Sequence, residues 1–454
     1  MTETTASLTR KLWFQTWPMA LGIMSLLGFG LVDSVFIARL GTEPLAAQSL
    51  TFPLNFLLIG IQVGVGIAIA ALISRTVGAG EALQARRQGT LVMVGGGLFM
   101  AVLALVLWFG HEPAFRLLGA DGPLLEVIRP FWRVWLGAAW TGALLYFGYS
   151  VLRAHGHTRF PGFMMMGTSL VNLVLDPILI FGLGPVPALG LEGAAWATLA
   201  AFALGNLVVL RVLVSEGWLS RTGLAGQARQ SLRPFLGIAG PATVSQLMPP
   251  VAAMLATAVV ARINPESLAA WGLMVRLEGF SIVLVLGLTM ALPPWLGQCY
   301  GAGNWTEIRQ MMRIAARGVL IWQAGVGLVL CLAATPLALL LAGSGEVAER
   351  LAWLLRWLPP STAFLGICML VVSASNALGW PVRAMVISFL RLFACYLPLL
   401  WLGAWLGGFT GLAIGAALGN VLAGSMAWFF YLSGERRVAS GESISRQEGG
   451  ETNE

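Results

Sequence analysis

Long apolar runs separated by short polar segments make up most of the chain. A helix of about 20 apolar residues crosses the hydrocarbon core of a bilayer. Lipid offers no partners for open backbone groups, so helices are the default spanning element. The pattern therefore predicts an all-α polytopic membrane protein with twelve transmembrane helices. We expect these spans at residues 14–38, 51–74, 90–110, 130–152, 162–184, 190–214, 235–262, 268–296, 315–343, 353–378, 382–406 and 409–432.

The composition agrees with this class. Of the 454 residues, 57% are hydrophobic and 10% are charged, whereas a soluble domain carries about 25% charged residues. The net charge of +7 does not indicate a nucleic-acid partner, because most basic residues lie between the apolar runs. The cysteines all fall in apolar stretches without CxxC spacing, so we expect packing residues rather than disulfides or metal ligands. They are Cys299, Cys331, Cys368 and Cys395.

Loop charges predict the orientation in the membrane. If the N-terminus is cytoplasmic, 18 basic residues fall on the cytoplasmic side. Only six then fall on the opposite side, namely Arg39, Arg116, Arg129, Arg262, Arg350 and Arg356. An excess of Lys and Arg marks the cytoplasmic side, so both termini are expected there. The first apolar run is too long for a signal peptide and should be retained. The polar tail, 434–454, is predicted to be disordered.

The chain contains an internal duplication. The segment ARLGTEPLAA at 38–47 reappears as ARINPESLAA at 261–270, an offset of 223 residues. At the same offset Pro18 matches Pro241, and Arg86 and Gly156 match Arg309 and Gly379. Each copy holds six spans, an even number, so both copies enter the membrane in the same direction. The repeat therefore predicts two six-helix lobes related by a pseudo-twofold axis along the membrane normal. Their expected bounds are 1–214 and 234–433, joined by a linker at 215–233.

Two aspartates interrupt the apolar runs. Asp33 and Asp176 are two of only three aspartates in the chain. A carboxylate at membrane depth costs about 2.5–3.5 kcal/mol, and such residues usually face a cavity where they handle protons or ions. The alternative is a helix-end residue that reaches the interface. Asp has little reach compared with the long Lys and Arg stems that snorkel.

The repeat isolates the polar positions. Asp33 corresponds to Ala256, and Asp176, with small gaps, corresponds to Leu397. Thr198 corresponds to Ala416. Asn172 lies four residues before Asp176, on the same helix face, and corresponds to an apolar position near Phe393. Architecture that both lobes share does not explain a polar cluster in one lobe. The asymmetry predicts that the first lobe carries a coupling ion.

These residues lie in segments that resemble the multidrug and toxic compound extrusion (MATE) family. The segments are VDSVFIARLGTEPLAA, LISRTVGAG, LRAHGHTRFP, VNLVLDPILIFGLG and LEGAAWATLAA. The chain is most similar to the DinF-like branch. The resemblance implies a cation site for H+ or Na+ and a first-helix proline, Pro18, where that branch is thought to bend. The site residues would be Asp33, Asn172, Asp176 and Thr198. Other branches carry an acid in the seventh helix, where Gln246 stands here.

Several candidate functional residues can also be explained by a purely structural role. Pro18 removes a backbone donor and can equally form a static kink. Glu278 could be a counter-ion for a cationic drug, or a structural partner of Arg276 or Arg391. Aromatic and Met side chains suit an adaptable cavity, although at helical spacing they are more often packing residues. The candidates for a substrate cleft are therefore Glu278, Gln246, Tyr146 and Met165.

The sequence favours a secondary transporter over an enzyme. It has no P-loop, HExxH, GxSxG or CxxCH motif, so ATP-driven transport and familiar catalysis have no support. We expect an antiporter that exports organic cationic or amphipathic drugs in exchange for H+ or Na+, without a cofactor. One charge moved through about 100 mV supplies about 2.3 kcal/mol, enough for a roughly 50-fold gradient. The expected protein is a monomer in the bacterial inner membrane. The alternative is a lipid or lipid-linked oligosaccharide flippase of related architecture, which should carry more basic residues in its cleft.

Overall fold

The first half of the chain folds into seven helices. The computed structural model describes residues 5–183 and 185–439, and within these ranges it contains helices and no strands. The first seven are α1 Thr5–Ala38, α2 Thr42–Gly78, α3 Ala82–Phe109, α4 His111–Leu117, α5 Gly122–Ala154, α6 Arg159–Phe181 and α7 Gly190–Ser215. Asp121 caps α5 by accepting from the backbone N–H of Leu124, a typical N-cap contact.

The second half has a similar series with more interruptions. Its helices are α8 Leu224–Ala261, α9 Pro265–Ser281, α10 Val283–Gly301, α11 Trp305–Leu332, α12 Ala334–Ala342, α13 Glu346–Ala377, α14 Pro381–Phe389 and α15 Leu397–Ala439. A π-helical segment, Leu390–Tyr396, joins α14 to α15. The backbone of α15 breaks at Gly407 and Gly408, where Gly408 has φ of 58°. This break lies between the last two predicted spans.

The twelve predicted spans all lie on helices. Within the described residues, ten helical stretches are long and apolar enough to cross a membrane. One of the ten, Pro381–Arg436, contains two predicted spans. α5 carries the span predicted at 130–152 but is not among the ten, and Arg, Trp and Tyr side chains interrupt its apolar residues.

Most helices extend beyond the predicted spans, and some depart from the prediction in other ways. The span predicted at 268–296 is broken at Ile282, and the span predicted at 315–343 is broken at Ala333. α8 begins at Leu224, inside the predicted linker. α15 continues to Ala439, past the start of the predicted tail at 434; residues 440–454 lie outside the described residues, and disorder of the tail stays a prediction. Helices extend past the hydrocarbon core, and a hydropathy run reports only the part inside it.

Contacts divide the chain into two compact units. The first unit comprises Met1–Leu247, Leu286–Met311 and Asn376–Pro381. The second unit comprises Met248–Val285, Met312–Ser375 and Val382–Glu454. These units do not follow the repeat, because segments of the second repeat belong to the first unit. The lobe boundaries expected from the sequence stay a prediction.

The core of the first unit centres on α5. This helix packs against α2, α3 and α7. Trp132 and Phe147 of α5 are fully buried, as is Phe115 of α4. The rings of Phe115 and Trp132 meet edge to face with centroids 5.2 Å apart, a geometry that aromatic pairs prefer. α1 lies along α6 beside this core.

Reciprocal contacts within the first unit show the duplication directly. Gln298 donates from Nε2 to the carbonyl of Ala154 at 2.8 Å. Arg75 donates from Nε to the carbonyl of Ala377 at 2.9 Å. Both residues of one pair stand 223 positions from their counterparts in the other pair. When residue i contacts j and the equivalent of j contacts the equivalent of i, the two segments are related by a twofold operation. The internal repeat inferred from the sequence is therefore confirmed.

The glycines of the repeat allow this close approach. A Cβ on Gly78 would lie 2.0 Å from the carbonyl oxygen of Gln298. A Cβ on Gly301 would lie 2.0 Å from the carbonyl oxygen of Arg75. Gly78 and Gly301 are themselves repeat equivalents. Both glycines let backbones touch where a larger residue would clash, as is common between membrane helices.

The second unit has its own apolar core. α13 contributes the fully buried Leu351, Leu354 and Leu355. These side chains pack with residues of α8, α12 and α15. The Arg350 guanidinium donates to Glu346 one turn earlier on α13 and lies 5.3 Å from the centre of the Phe409 ring.

Candidate functional site

The buried face of α6 is polar. Thr168 and Ser169 lie four and three residues before Asn172, and Asp176 lies four residues after it, which places them on one side of the helix; all four are buried. Asp176 has no exposed surface and Asn172 is 3% exposed. α6 ends at Phe181, and the next residue, Gly182, has a φ of 75° that favours glycine. The carboxylate thus lies inside the unit, against α7 and α1.

The amide of Asn172 links Asp176 to α7. The hydrogen bonds of this amide set its orientation. With its oxygen towards α7, Asn172 accepts from the Thr198 hydroxyl and the Thr198 backbone N–H, each at 3.0 Å. Its nitrogen then donates to the two carboxylate oxygens of Asp176 at 3.1 and 3.3 Å. Asp176, Asn172 and Thr198 form one buried hydrogen-bonded row.

Asp33 approaches the same row from α1. Asp33 is half-buried, and Gln48 of α2 donates from Nε2 to its carboxylate at 3.3 Å. Asp33 and Asp176 lie close enough for their charges to interact. We call Asp33, Asn172, Asp176 and Thr198 the polar cluster. The structure brings together the four residues that the sequence predicted as a cation site.

The chemistry of the polar cluster suits a proton or a hard cation. Its side chains offer two carboxylates, one amide oxygen and one hydroxyl. Two carboxylates that share a site of low dielectric titrate as a coupled pair. Oxygen ligands of this kind are also those that hard cations prefer. Either occupant changes the net charge of α1 and α6 at membrane depth.

The equivalent positions of the second repeat contain no such chemistry. Ala256 and Ala416 are buried in the apolar core of the second unit, and Leu397 packs against the same core. In the first repeat these positions lie on α1, α6 and α7, and in the second they lie on α8 and on α15 either side of its break at Gly407 and Gly408. Only the first repeat fills these positions with polar side chains.

Pro18 divides α1 into two environments. From Thr16 to Gly22 the helix is largely buried, and a Cβ on Gly162 of α6 would lie 2.4 Å from the Pro18 carbonyl oxygen. Between Gly22 and Ile37 no residue of α1 is buried. The part of α1 that carries Asp33 is thus partly exposed, with Leu26 and Phe36 packed against the core, whereas the part around Pro18 is buried against α6.

A side chain replaces the hydrogen bond that Pro18 cannot make. Proline has no N–H, so the carbonyl four residues earlier loses its helical donor. That carbonyl belongs to Phe14, and Arg159 at the start of α6 donates to it from Nε at 3.2 Å. The Arg159 guanidinium also lies 5.2 Å from the centre of the Phe14 ring. α6 therefore supports α1 at the proline.

The substrate-cleft candidates occupy different surroundings. Tyr146 and Met165 are buried in the core of the first unit. Gln246 is half-buried on α8. Glu278 belongs to the second unit, where it interacts electrostatically with Arg391 of the π-helical segment. Their assignment to a cleft stays a prediction.

Sequence reasoning missed two contributors, Gln48 and Arg159. The repeat could have revealed Gln48, because its equivalent is Trp271, a change as sharp as that from Asp33 to Ala256. For Arg159 the sequence offers no such signal, because its contact with Phe14 spans 145 residues.

A buried polar cluster inside a bundle of membrane-spanning helices is typical of integral membrane transporters. The comparisons with known proteins agree. The chain matches the MatE family over residues 18–178 and 241–402, once in each repeat. The chain belongs to this MATE transporter family.

Relatives and solved structures extend the match over most of the chain. The structure of the Vibrio cholerae MATE transporter VcmN in the bent form is 48% identical, with a TM-score of 0.92 over 95% of this chain and 98% of that chain. A FAD transporter of Shewanella oneidensis is 34% identical, covering 88% of this chain and 89% of its own. The probable multidrug resistance protein NorM of Thermotoga maritima is 20% identical over 82% of this chain and 80% of its own.

These findings confirm the predicted fold class. The MATE structures that the chain resembles have a two-lobe fold of twelve helices. The chain is a multi-pass membrane protein that transports small organic compounds. The DinF-like branch stays a prediction from the sequence.

Proposed function

We propose that this protein is a secondary antiporter that exports organic compounds in exchange for H+ or Na+, with the polar cluster as its coupling site. The observation that carries the proposal is the buried row Asp176–Asn172–Thr198 with Asp33 beside it. A carboxylate without exposed surface at membrane depth is costly and is usually retained for function. Its absence from the second repeat separates it from the shared architecture.

Coupling needs two packings of the same helices that bind the ion differently. A ligand shifts such an equilibrium only by its differential affinity for the two states. Occupation of the cluster changes the charge between α1 and α6. The partly exposed part of α1, between Gly22 and Ile37, is the element that can respond, with Pro18 as its hinge. Export then follows when ion binding favours the state that releases the compound outward.

The exported compounds are organic and amphipathic. Among the relatives, proteins named as a multidrug resistance protein and a multidrug export protein support drugs as the exported compounds. The relative named FAD transporter supports a second candidate, a flavin nucleotide, which is large, amphipathic and anionic. The flippase alternative draws no support from the named relatives. For the location we propose the bacterial inner membrane with both termini in the cytoplasm, on the distribution of loop charges.

Proteoliposomes with separately imposed gradients test this proposal. Purified protein is reconstituted with ethidium or FAD inside or outside, and an inward pH or sodium gradient is applied in turn. The proposal expects uphill movement of at least one compound under at least one gradient. Movement that needs neither ion, or that only follows the compound's own gradient, would contradict antiport.

The chain offers a matched control for the same assay. Asp121, the third aspartate, caps α5 on the surface. Asparagine is as good an N-cap as aspartate. Asp121→Asn should therefore transport like the natural protein, whereas Asp176→Asn should not. Comparing the two variants shows whether transport is lost because any carboxylate is removed or because the carboxylate of Asp176 is removed.

A further inference from the structure

A polar cavity lies at one end of the first unit, away from the polar cluster. It lies where α1 begins and where α5 turns into α6, and α10 closes its side. The cavity has a volume of about 180 Å³. It is lined by Lys11, Gln15, Arg153, Gly156, Thr158, Ala291, Pro294, Trp295 and Gln298. A water molecule occupies about 30 Å³ of liquid, so the cavity has room for a larger ligand.

Three side-chain atoms of the lining have no hydrogen-bond partner within residues 5–183 and 185–439. They are Nε of Arg153, Oγ1 of Thr158 and Oε1 of Gln15. Arg153 is 4% exposed and Thr158 is 2% exposed, so solvent does not replace the missing partners. Buried polar atoms are nearly always paired, and each exception calls for an explanation such as a bound ion. Three exceptions in one cavity indicate a ligand.

The charge of the lining selects the kind of ligand. Lys11 and Arg153 are cationic, and among the described residues no acidic side chain lines the cavity. Arg153 donates to the Ser150 hydroxyl at 2.8 Å and lies 5.2 Å from the centre of the Tyr146 ring. Both of these partners are neutral. Water could complete the hydrogen bonds but would not balance a buried guanidinium charge. An anion satisfies both requirements.

The repeat provides an internal comparison for this cavity. At the offset of 223, Gln15 and Arg153 are replaced by Ile238 and Asn376, and Thr158 by Pro381. The lining residues Ala291 and Pro294 correspond to Ala68 and Ala71. Ala68, Ala71, Ile238 and Ala239 form a packed apolar cluster. The equivalent region also contains Arg75, at the position of Gln298, and its guanidinium donates to the carbonyls of Ala377 and Asn376. The arginine there is satisfied by protein carbonyls, whereas Nε of Arg153 has no partner among the described residues.

A basic groove adjoins the cavity and gives it access. The groove is lined by Ser7, Arg10, Lys11, Phe14 and Arg159 and has a volume of about 430 Å³. Lys11 lines both spaces, and its ammonium lies 4.3 Å from the centre of the Trp295 ring. An anionic group attached to a larger molecule can therefore enter the cavity while the rest of the molecule lies in the groove.

We propose that the cavity binds a phosphate group, carried either by a lipid headgroup or by a free phosphate compound. Arg153 Nε and the Thr158 hydroxyl donate to its oxygens, and Lys11 adds charge. The Gln15 amide donates its NH₂ when it turns over. Charge-assisted hydrogen bonds of guanidinium to phosphate are among the strongest in proteins. Binding at this site does not depend on transport, so it stands or falls separately from the antiport proposal.

Thermal unfolding of the full-length, delipidated protein in detergent tests the site. One arm adds inorganic phosphate against sodium chloride at equal ionic strength, and a second arm adds phosphatidylglycerol against a neutral glycolipid. A ligand that binds only the folded state raises the unfolding temperature in a saturable way. We expect such a rise in at least one arm. A rise with free phosphate indicates a soluble compound, and a rise with phosphatidylglycerol alone indicates a headgroup.

Three variants make the result specific. Arg153→Gln should weaken the apparent affinity about tenfold or more. Thr158→Val should keep the ligand-free unfolding temperature, because the hydroxyl it removes has no partner, and should also bind more weakly. Arg211→Gln removes a charge from an exposed site on α7 and should bind like the natural protein. The proposal is overturned if neither arm stabilises the natural protein, or if Arg153→Gln and Thr158→Val respond as Arg211→Gln does.

Discussion

The two repeats of this chain use one set of backbone contacts for two different interiors. In each repeat, glycines at equivalent positions let helices touch, and equivalent side chains donate to equivalent carbonyls. At the point where three helices converge, the first repeat has carboxylates, an amide and a hydroxyl. The second repeat has Ala256, Leu397 and Ala416 in an apolar core. Because the scaffold is shared, the difference isolates what the first repeat does beyond folding.

The same comparison between the repeats applies to the cavity around Arg153. At the repeat equivalent of the cavity around Arg153, Ala68, Ala71 and Ile238 pack together, and the arginine of that region, Arg75, donates to two backbone carbonyls. Duplicated proteins thus carry their own control. Positions that agree between the copies report architecture, and polar positions that disagree are candidates for function.

The largest effect is expected from removing the buried charges. Asp33→Asn and Asp176→Asn should abolish ion-coupled efflux while expression stays near normal, because each keeps the shape of the side chain and removes its titration. Efflux from proteoliposomes under an imposed ion gradient measures this. Asp121→Asn is the control. Full coupled efflux by either variant would show that the cluster is not the coupling site.

Sequence alone predicted the spans, the duplication and the four residues of the cluster. Hydropathy located Asp33 and Asp176 because a charge in an apolar run is conspicuous, and the repeat added Asn172 and Thr198. Hydropathy did not show the breaks at Ile282 and Ala333, since apolar side chains continue through them. Nor did it show the cavity around Arg153, which depends on contacts among three distant segments.

A slower cycle is expected from stiffening the first helix. Pro18→Ala supplies an N–H for the Phe14 carbonyl that Arg159 now serves. If the bend moves, this variant should transport several-fold more slowly than the natural protein with little loss of thermal stability. Pro241→Ala is the matched change in the repeat whose helix carries no acid. Equal losses of transport at the two prolines would mean that both only shape their helices.

A moderate effect is expected from copying one residue of the second repeat into the first. Thr198→Ala removes the hydroxyl that Asn172 contacts at 3.0 Å. A neutral hydrogen bond contributes about 0.5–1.5 kcal/mol, so ion affinity should fall about threefold to tenfold. Ion titrations of transport rate measure it. Unchanged affinity would place Thr198 outside the site.

The smallest effect is expected at Arg75 and Gln298, which make the same type of contact in both repeats but with different numbers of hydrogen bonds. Arg75 donates to the carbonyls of Asn376 and Ala377, whereas its equivalent Gln298 donates to one carbonyl. Arg75→Gln should therefore lower the free energy of unfolding by about 1–3 kcal/mol, seen as a modest fall in unfolding temperature. If Arg75→Gln does not fold at all, then the single hydrogen bond that a glutamine makes at the equivalent position, 298, is not enough at position 75.

Sodium binding measured as a function of pH tests the central claim most directly. If the polar cluster of Asp33, Asn172, Asp176 and Thr198 holds either protons or sodium, the two ions compete for the same carboxylates. The apparent sodium affinity of the purified protein should then fall as the pH is lowered, and this dependence should disappear in Asp176→Asn. Sodium binding that ignores pH, or that is unchanged in Asp176→Asn, would contradict a shared cation site in the first repeat.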